Sequence, residues 1–395
     1  MVPNLPRLAN CFETIDPSMR TIDRYVLSLF VKVTVICFLS LAGLYVVIDA
    51  FANLDEFLTY GKQQGNTLLV VADYYFPRTV WFFDRTAGLL AMIASIFAVT
   101  MLQRSNELTA LMAAGISKSR VIAPIVVATV MIAGLAAVNR EFYLPQVRDK
   151  LTRNAQDWTG TTARKVTPRY DLRSDILLSG KHSYALDKRI EEPNFRLPPE
   201  LSAWGRQITA DNALYQAAGG DRPAGYLLTG VKLPANLPQL DSLEVEGART
   251  IYSPKDNPWL KPNECFVASV VTFEQLSIGG NWRQYLSTHE LVTGIRGRVI
   301  EAGADVRVSL HARMVQPLLD ITLVFLGLPL VLTRGNRNIF VAAGIALVLV
   351  AGFYIVVLVC HGLGSNYLLS PTLAAWLPLL IFGPVAYTLA KPIWD

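Results

Sequence analysis

The chain has 395 residues, of which 52% are hydrophobic and 17% charged, and a formal net charge of +5. With a mean hydropathy of +0.34 it carries more apolar material than one soluble domain needs, and its charge is too small to point to a nucleic-acid partner. The apolar excess lies in two blocks, 25–138 and 308–390, around a polar middle of roughly 165 residues, near the modal domain size.

Residues 1–24 read as a short cytoplasmic segment. The apolar run that follows Asp23-Arg24-Tyr25 is too long for a signal-peptide core and is expected to remain as an uncleaved first span. A bilayer core needs about 20 apolar residues of helix. Six runs supply this: 25–48, 79–102, 121–138, 314–333, 339–360 and 372–390. Prolines such as Pro124 and Pro317 are tolerable inside such helices, and Gly134, Gly327 and Gly352 would allow helices to approach closely. Asp84 and Arg85 lie about two turns inside the outer end of the second run, where pairing with other helices is expected. Lys32 is near enough to a span end to snorkel.

Basic residues set the orientation. Arg7, Arg20 and Arg24 precede the first run, while Arg104, Lys118 and Arg120 separate the second from the third. Arg334 and Arg337 separate the fourth from the fifth, and Lys391 follows the sixth. On the other side, a loop over 49–77 has Lys62 against Asp49, Asp55, Glu56 and Asp73, and 361–371 has no Lys or Arg. The positive-inside rule then puts both termini in the cytoplasm and the middle outside.

The middle, 141–307, has short β-rich stretches at 176–179, 207–210, 225–231 and 265–271, punctuated by Gly219-Gly220 and Pro198-Pro199. Many short strands with such turns predict a sandwich, jelly roll or open barrel. A short helix is expected over 282–294, with Ser287 and Glu290 forming a capping box. The cysteines Cys11, Cys37, Cys265 and Cys360 have no metal-ligand spacing and suggest neither a disulfide framework nor a zinc site.

The turn over 103–120, QRSNELTALMAAGISKSR, is the most informative stretch. Ser105 can cap a helix, and Glu107 falls in its first turn, where the dipole favours a carboxylate. Leu108, Leu111 and Met112 form an apolar face, and Gly115 suits the C′ position. Two readings stand: an interfacial helix on lipid headgroups, or a coupling helix gripped by a soluble motor. Asp320, in the fourth run, is a costly group there and faces protein or water, either as an inter-helix contact or in transport. Arg148, Lys150 and Arg153 form a basic cluster suited to an anionic headgroup or to a solvated surface, with Asp149 and Asp157 nearby. There is no phosphate loop, HExxH helix or GxSxG elbow, and His182, His289, His311 and His361 are isolated, so no catalytic residue, metal or cofactor is expected.

Several segments, in their order and spacing, carry a likeness: Asp23-Arg24-Tyr25, the turn from Arg104 to Ser117, Tyr143-Leu-Pro-Gln146, Tyr285-Leu-Ser-Thr-His-Glu-Leu291, His311-Ala-Arg-Met-Val-Gln-Pro317 with Leu326-Gly-Leu-Pro329, and Leu373-Ala-Ala-Trp-Leu-Pro378. Together they resemble the LptF/LptG (YjgP/YjgQ) permeases of the lipopolysaccharide export ABC transporter. The resemblance implies a membrane α-helical bundle of six transmembrane helices, 3+3, with an inserted all-β periplasmic jellyroll-like domain. The division would be 1–24, a cytoplasmic segment; 25–140, helices one to three with a coupling helix at 103–118; 141–307, the β domain; and 308–395, helices four to six. It further implies a bacterial inner-membrane location, with a cytoplasmic LptB-like ABC ATPase dimer and a second LptF/LptG-type permease as partners. LptC/LptA-like periplasmic bridge proteins and lipopolysaccharide or a related glycolipid complete the set. Glu107 would contact the ATPase, and hydrolysis would belong to that separate chain. LptG-type members carry basic residues at the outer end of the first span, where this chain has Asp49, Asp55 and Glu56; Arg153 is the nearest counterpart of the basic cluster after the third span. The alternatives are a membrane sensor or scaffold with an extracytoplasmic ligand-binding β domain, and a lipoprotein-release-type ABC permease. The latter usually places its large outer domain directly after the first span.

Overall fold

The computed structural model describes residues 17–157, 160–219, 222–245, 247–277, 279–297, 299–334 and 339–394. Arg7, Cys11, Gly220 and Arg337 lie outside the described residues. Six described helices are long and apolar enough to cross a membrane. They are α1 (Pro17–Ala52), α3 (Thr67–Arg104), α5 (Lys118–Val138), α10 (Ala304–Arg334), α11 (Ile339–Ser365) and α12 (Pro371–Trp394). The chain divides into two compact units, 1–47 with 82–138 and 307–395, and 48–81 with 139–306.

The first unit is helical. Its core joins Phe30 of α1, Ile96 and Leu102 of α3, Ile125 of α5 and Val315 and Leu323 of α10. Ile36, Leu44, Val127, Leu347 and Leu358 are left exposed, as expected where lipid rather than water surrounds a bundle. In α3, 72% of the most apolar stretch is buried, against 17% in α1, which makes α3 the central helix. Its stripe of Ala87, Gly88, Ala91, Ala94 and Ala98 is buried, because small side chains let neighbouring backbones come close.

The second unit corrects one expectation. Residues 49–77 are helical rather than loop, forming the end of α1, then α2 (Leu54–Gln64), then the start of α3. The Asn66 side chain accepts from the backbone N–H of Leu68 at 3.0 Å and so starts α3 twelve residues early. Phe57, Tyr74 and Tyr75 form a buried aromatic cluster with ring centroids 4.9–5.7 Å apart, which gives the polar-looking segment a packed side.

The rest of this unit is built on antiparallel strands. One sheet takes β1 (Arg164–Lys165), β4 (His182–Tyr184), β5 (Arg189–Glu191), β8 (Asn212–Gln216), β9 (Gly225–Thr229), β12 (Glu264–Ala268), β11 (Ala248–Tyr252) and β10 (Leu243–Val245) in that spatial order. The other takes β2 (Arg169–Tyr170), β3 (Leu177–Leu178), β6 (Asn194–Arg196) and β7 (Gln207–Thr209). Cys265 faces Leu228 and Val267 faces Tyr226 across β12 and β9, so period-two alternation sends all four into one core. Phe195 and Ile208 join them from the second sheet. Burial raises the Cys265 thiol well above its usual range.

Past α5 the backbone passes through a π-helical turn, Asn139–Tyr143, into short α6 (Leu144–Gln146) and α7 (Arg148–Leu151). After α8 (Phe273–Ser277) comes α9 (Thr288–Arg296), which opens on the expected capping box. The Ser287 hydroxyl accepts from the Glu290 N–H at 3.0 Å, and the Glu290 carboxylate accepts from the Ser287 N–H at 2.8 Å.

Candidate functional site

The turn between α3 and α5 forms a seven-residue helix, α4 (Glu107–Ala113). Its N-cap is Asn106, in the left-handed region at φ 59°, rather than Ser105. The Ser105 hydroxyl instead donates to the Met101 carbonyl at 3.0 Å, within the last turn of α3, a common local competitor for a capping oxygen. The C-terminus closes as a Schellman motif, with Ile116 N–H bonded to Leu111 C=O and Gly115 N–H to Met112 C=O, each at 3.0 Å. Gly115 takes φ +83° there, as a C′ glycine should.

Burial divides the helix. Leu108 is 7% exposed, and Leu111 and Ile116 pack on the core of the first unit. Met112 is 42% exposed, beside exposed Thr109, Ala110 and Ala113. The expected apolar face is therefore split: Leu108 and Leu111 anchor the turn, and the outer ridge is small, with Met112 its one large side chain. Glu107 is half-buried and takes a hydrogen bond from the Tyr25 hydroxyl. Asp23, in the second turn of α1, pairs with Arg120 in the first turn of α5 at 2.7 Å. The buried Gln103 donates to the Val331 carbonyl of α10 at 3.2 Å. Both ends of the turn are thus tied to other helices.

Gly115→Ala tests whether this closure holds the turn. An added Cβ meets nothing within 4 Å, so the effect is conformational, about 1 kcal/mol against the left-handed region. Amide exchange at residues 115 and 116 is expected to speed up about fivefold, read by hydrogen–deuterium exchange; unchanged exchange would refute the closure.

Arg148, Lys150 and Arg153 do not converge. Arg148 lies 3.4 Å from Glu290 and 3.9 Å from Asp149. Lys150 pairs with Asp73, and the Arg153 carbonyl accepts from Arg78. Arg148 and Glu290 border a cavity of about 360 Å³ whose apolar wall includes Trp282, Leu286, Val299 and Ile300. Arg153 lines a different, much smaller pocket with Arg164 and Lys188.

Asp320 is 5% exposed and accepts from the Gln316 amide at 2.8 Å, against Gly88 of α3. Asp84, one turn before Gly88, is buried and Arg85 is exposed; neither is without a partner. Two residues carry more of the structure than the sequence suggested. Arg78 is buried, with its guanidinium 3.4 Å from the Tyr74 ring centroid. Glu141 takes hydrogen bonds from the Thr288 hydroxyl and, at 2.8 Å, the Thr288 N–H at the start of α9. The only sequence signal for Glu141 is an acidic residue just past an apolar run.

Six described helices that are long and apolar enough to cross a membrane, three before and three after an antiparallel β region in the chain, with a short helical turn between the second and third, define a multi-pass membrane protein. The sequence profile described as lipopolysaccharide export system permease LptF/LptG matches residues 24–186 and 230–391. The chain belongs to the LptF/LptG permease family. No individual curated relative matches it significantly.

Proposed function

We propose that the chain is the membrane subunit of an ABC-type exporter that extracts lipopolysaccharide, or a related glycolipid, from the bacterial inner membrane. It works with a second permease of the same family and passes the lipid to a periplasmic bridge. Both termini and α4 are cytoplasmic and the β region periplasmic, a reading supported by the basic residues Arg24, Arg104, Lys118 and Arg120 at one end of the spans. Arg148, beside the 360 Å³ cavity, is the best placed of the basic trio to meet an anionic headgroup.

The observation that carries the reading is α4: a short helix fixed at both ends, which offers Glu107, Met112 and the Gly115 corner to a soluble partner. A separate ATPase dimer grips this handle, and nucleotide-driven movement of the handle rearranges the spans. Leu108 and Leu111, packed on the first unit's core, transmit that movement inward.

Glu107→Arg tests the proposal in native membranes that contain all partners. The variant should insert and migrate normally on size exclusion, since Glu107 is not a core residue, while co-purified ATPase falls by about tenfold, the effect of reversing a charge at a small interface. Normal ATPase recovery with the variant would remove α4 as the handle.

A further inference from the structure

We propose that a crevice between α1 and α5 binds an anionic glycerophospholipid from the leaflet at that end of the bundle. The crevice has a volume of about 440 Å³, within the roughly 300–1,000 Å³ typical of ligand sites. Arg24 and Arg120 stand at its polar end, and Leu27, Ala123, Val127 and Met131 line its length. Residues 120, 123, 127 and 131 are three or four apart and so share one face of α5. That face runs about 16 Å along the helix axis, from the first turn of α5 into its apolar stretch. Val127 and Met131 are more than half exposed, so the slot opens sideways to acyl chains rather than into water.

The charges select the headgroup. Two guanidiniums meet one carboxylate, Asp23, which binds Nη2 of Arg120. Arg120 has further N–H donors, Arg24 is exposed, and the α5 N-terminus adds positive potential. Basic pockets between transmembrane helices at the cytoplasmic surface take anionic headgroups in this way. A phospholipid brings a phosphate at the depth of the arginines and a chain at the depth of Val127 and Met131, whereas a partner helix would need an acidic residue at one matching height. The inference rests on the membrane bundle alone and stands whatever the exporter carries.

The test is native mass spectrometry of the full chain titrated with phosphatidylglycerol or phosphatidylcholine. Wild type should retain phosphatidylglycerol at least about fivefold more strongly, and Arg24→Gln should reduce its retention about fivefold, the factor for one basic residue at a membrane surface. Val127→Trp, which fills the slot from its lipid-facing side, should reduce retention of both lipids, while Lys62→Gln should change neither. Arg120 is left in place because one Asp23 oxygen is enclosed without a hydrogen-bond partner, and losing the arginine would strand that charge. Equal retention of the two lipids, or wild-type retention by both crevice variants, would overturn the proposal. So would a photocrosslinker at Ala123 that captured a polypeptide instead of lipid.

Discussion

Gly88→Val should unfold the helical unit at markedly lower temperature in detergent than wild type, with the loss concentrated at one contact. A Cβ at position 88 would lie 2.1 Å from Oδ1 of Asp320 and 2.6 Å from its Cγ. Real Cβ contacts do not come that close, so the aspartate or α3 must move. Asp320 is short and 5% exposed, and it accepts from Gln316 within its own helix, so it has little room to swing. Overpacking of this kind costs about 1–3 kcal/mol, and displacing a buried carboxylate from its partners adds to that.

The double variant separates the two sources. With Asp320→Ala the two nearest atoms are gone, and only a Cβ at 3.1 Å remains. Gly88→Ala should therefore be much less damaging in the Asp320→Ala background than alone, with a coupling of at least ~1 kcal/mol. Additive losses, measured by thermal unfolding of the four proteins, would show that the carboxylate is not what Gly88 makes room for. The contact also gives Asp320 a structural reason to exist, since a carboxylate fits against the central helix only where α3 has no side chain.

How much of this was legible in the sequence depended on the range of the interaction. The spans and the strands at 225–229 and 264–268 were readable because apolar runs and alternation are local signals. The Ser287–Glu290 box and the Gly115 corner were readable because caps need particular residues at fixed offsets. Residues 49–77 look like a loop by composition, with Asp55, Glu56, Lys62 and Pro77, whereas burial of Phe57, Tyr74 and Tyr75 makes them helical. Tertiary packing overrode composition there. The trio Arg148, Lys150 and Arg153 looked like one patch because it is compact in sequence. Arg148 and Lys150 are two apart in α7, so they point to different sides, and their partners Glu290 and Asp73 are 142 and 77 residues away. Gly88 opposite Asp320 had no local signal at all.

Asp171→Ala should produce the largest loss in the β unit. Asp171 follows β2 and is 1% exposed, and its two carboxylate oxygens do different work. Oδ1 accepts from the backbone N–H of Arg173 at 2.9 Å and of Ser174 at 3.4 Å, which shapes the turn into β3. Oδ2 accepts from the Ser269 hydroxyl at 2.6 Å and from the Val270 N–H at 3.0 Å, just past β12. One side chain thereby joins the four-stranded sheet to the eight-stranded one. Alanine would leave four donors without their acceptor, three of them backbone groups, at about 1–3 kcal/mol for each that stays dry. Allowing for water reaching some of them, the loss should be about 3–5 kcal/mol, a large share of the ~5–15 kcal/mol that holds a domain together. Asp171→Asn should be intermediate, because its amide keeps one acceptor oxygen and turns an N–H₂ toward donors on the other side. Cys265 supplies the readout: it lies in this core, fully buried, so in a background where it is the sole cysteine its maleimide labelling rate reports opening of the sheets. Labelling should be slow in wild type, faster in the Asn variant and at least about a hundredfold faster in the Ala variant, the ratio for roughly 3 kcal/mol. If Asp171→Ala labels at the wild-type rate, the carboxylate is not the link between the sheets.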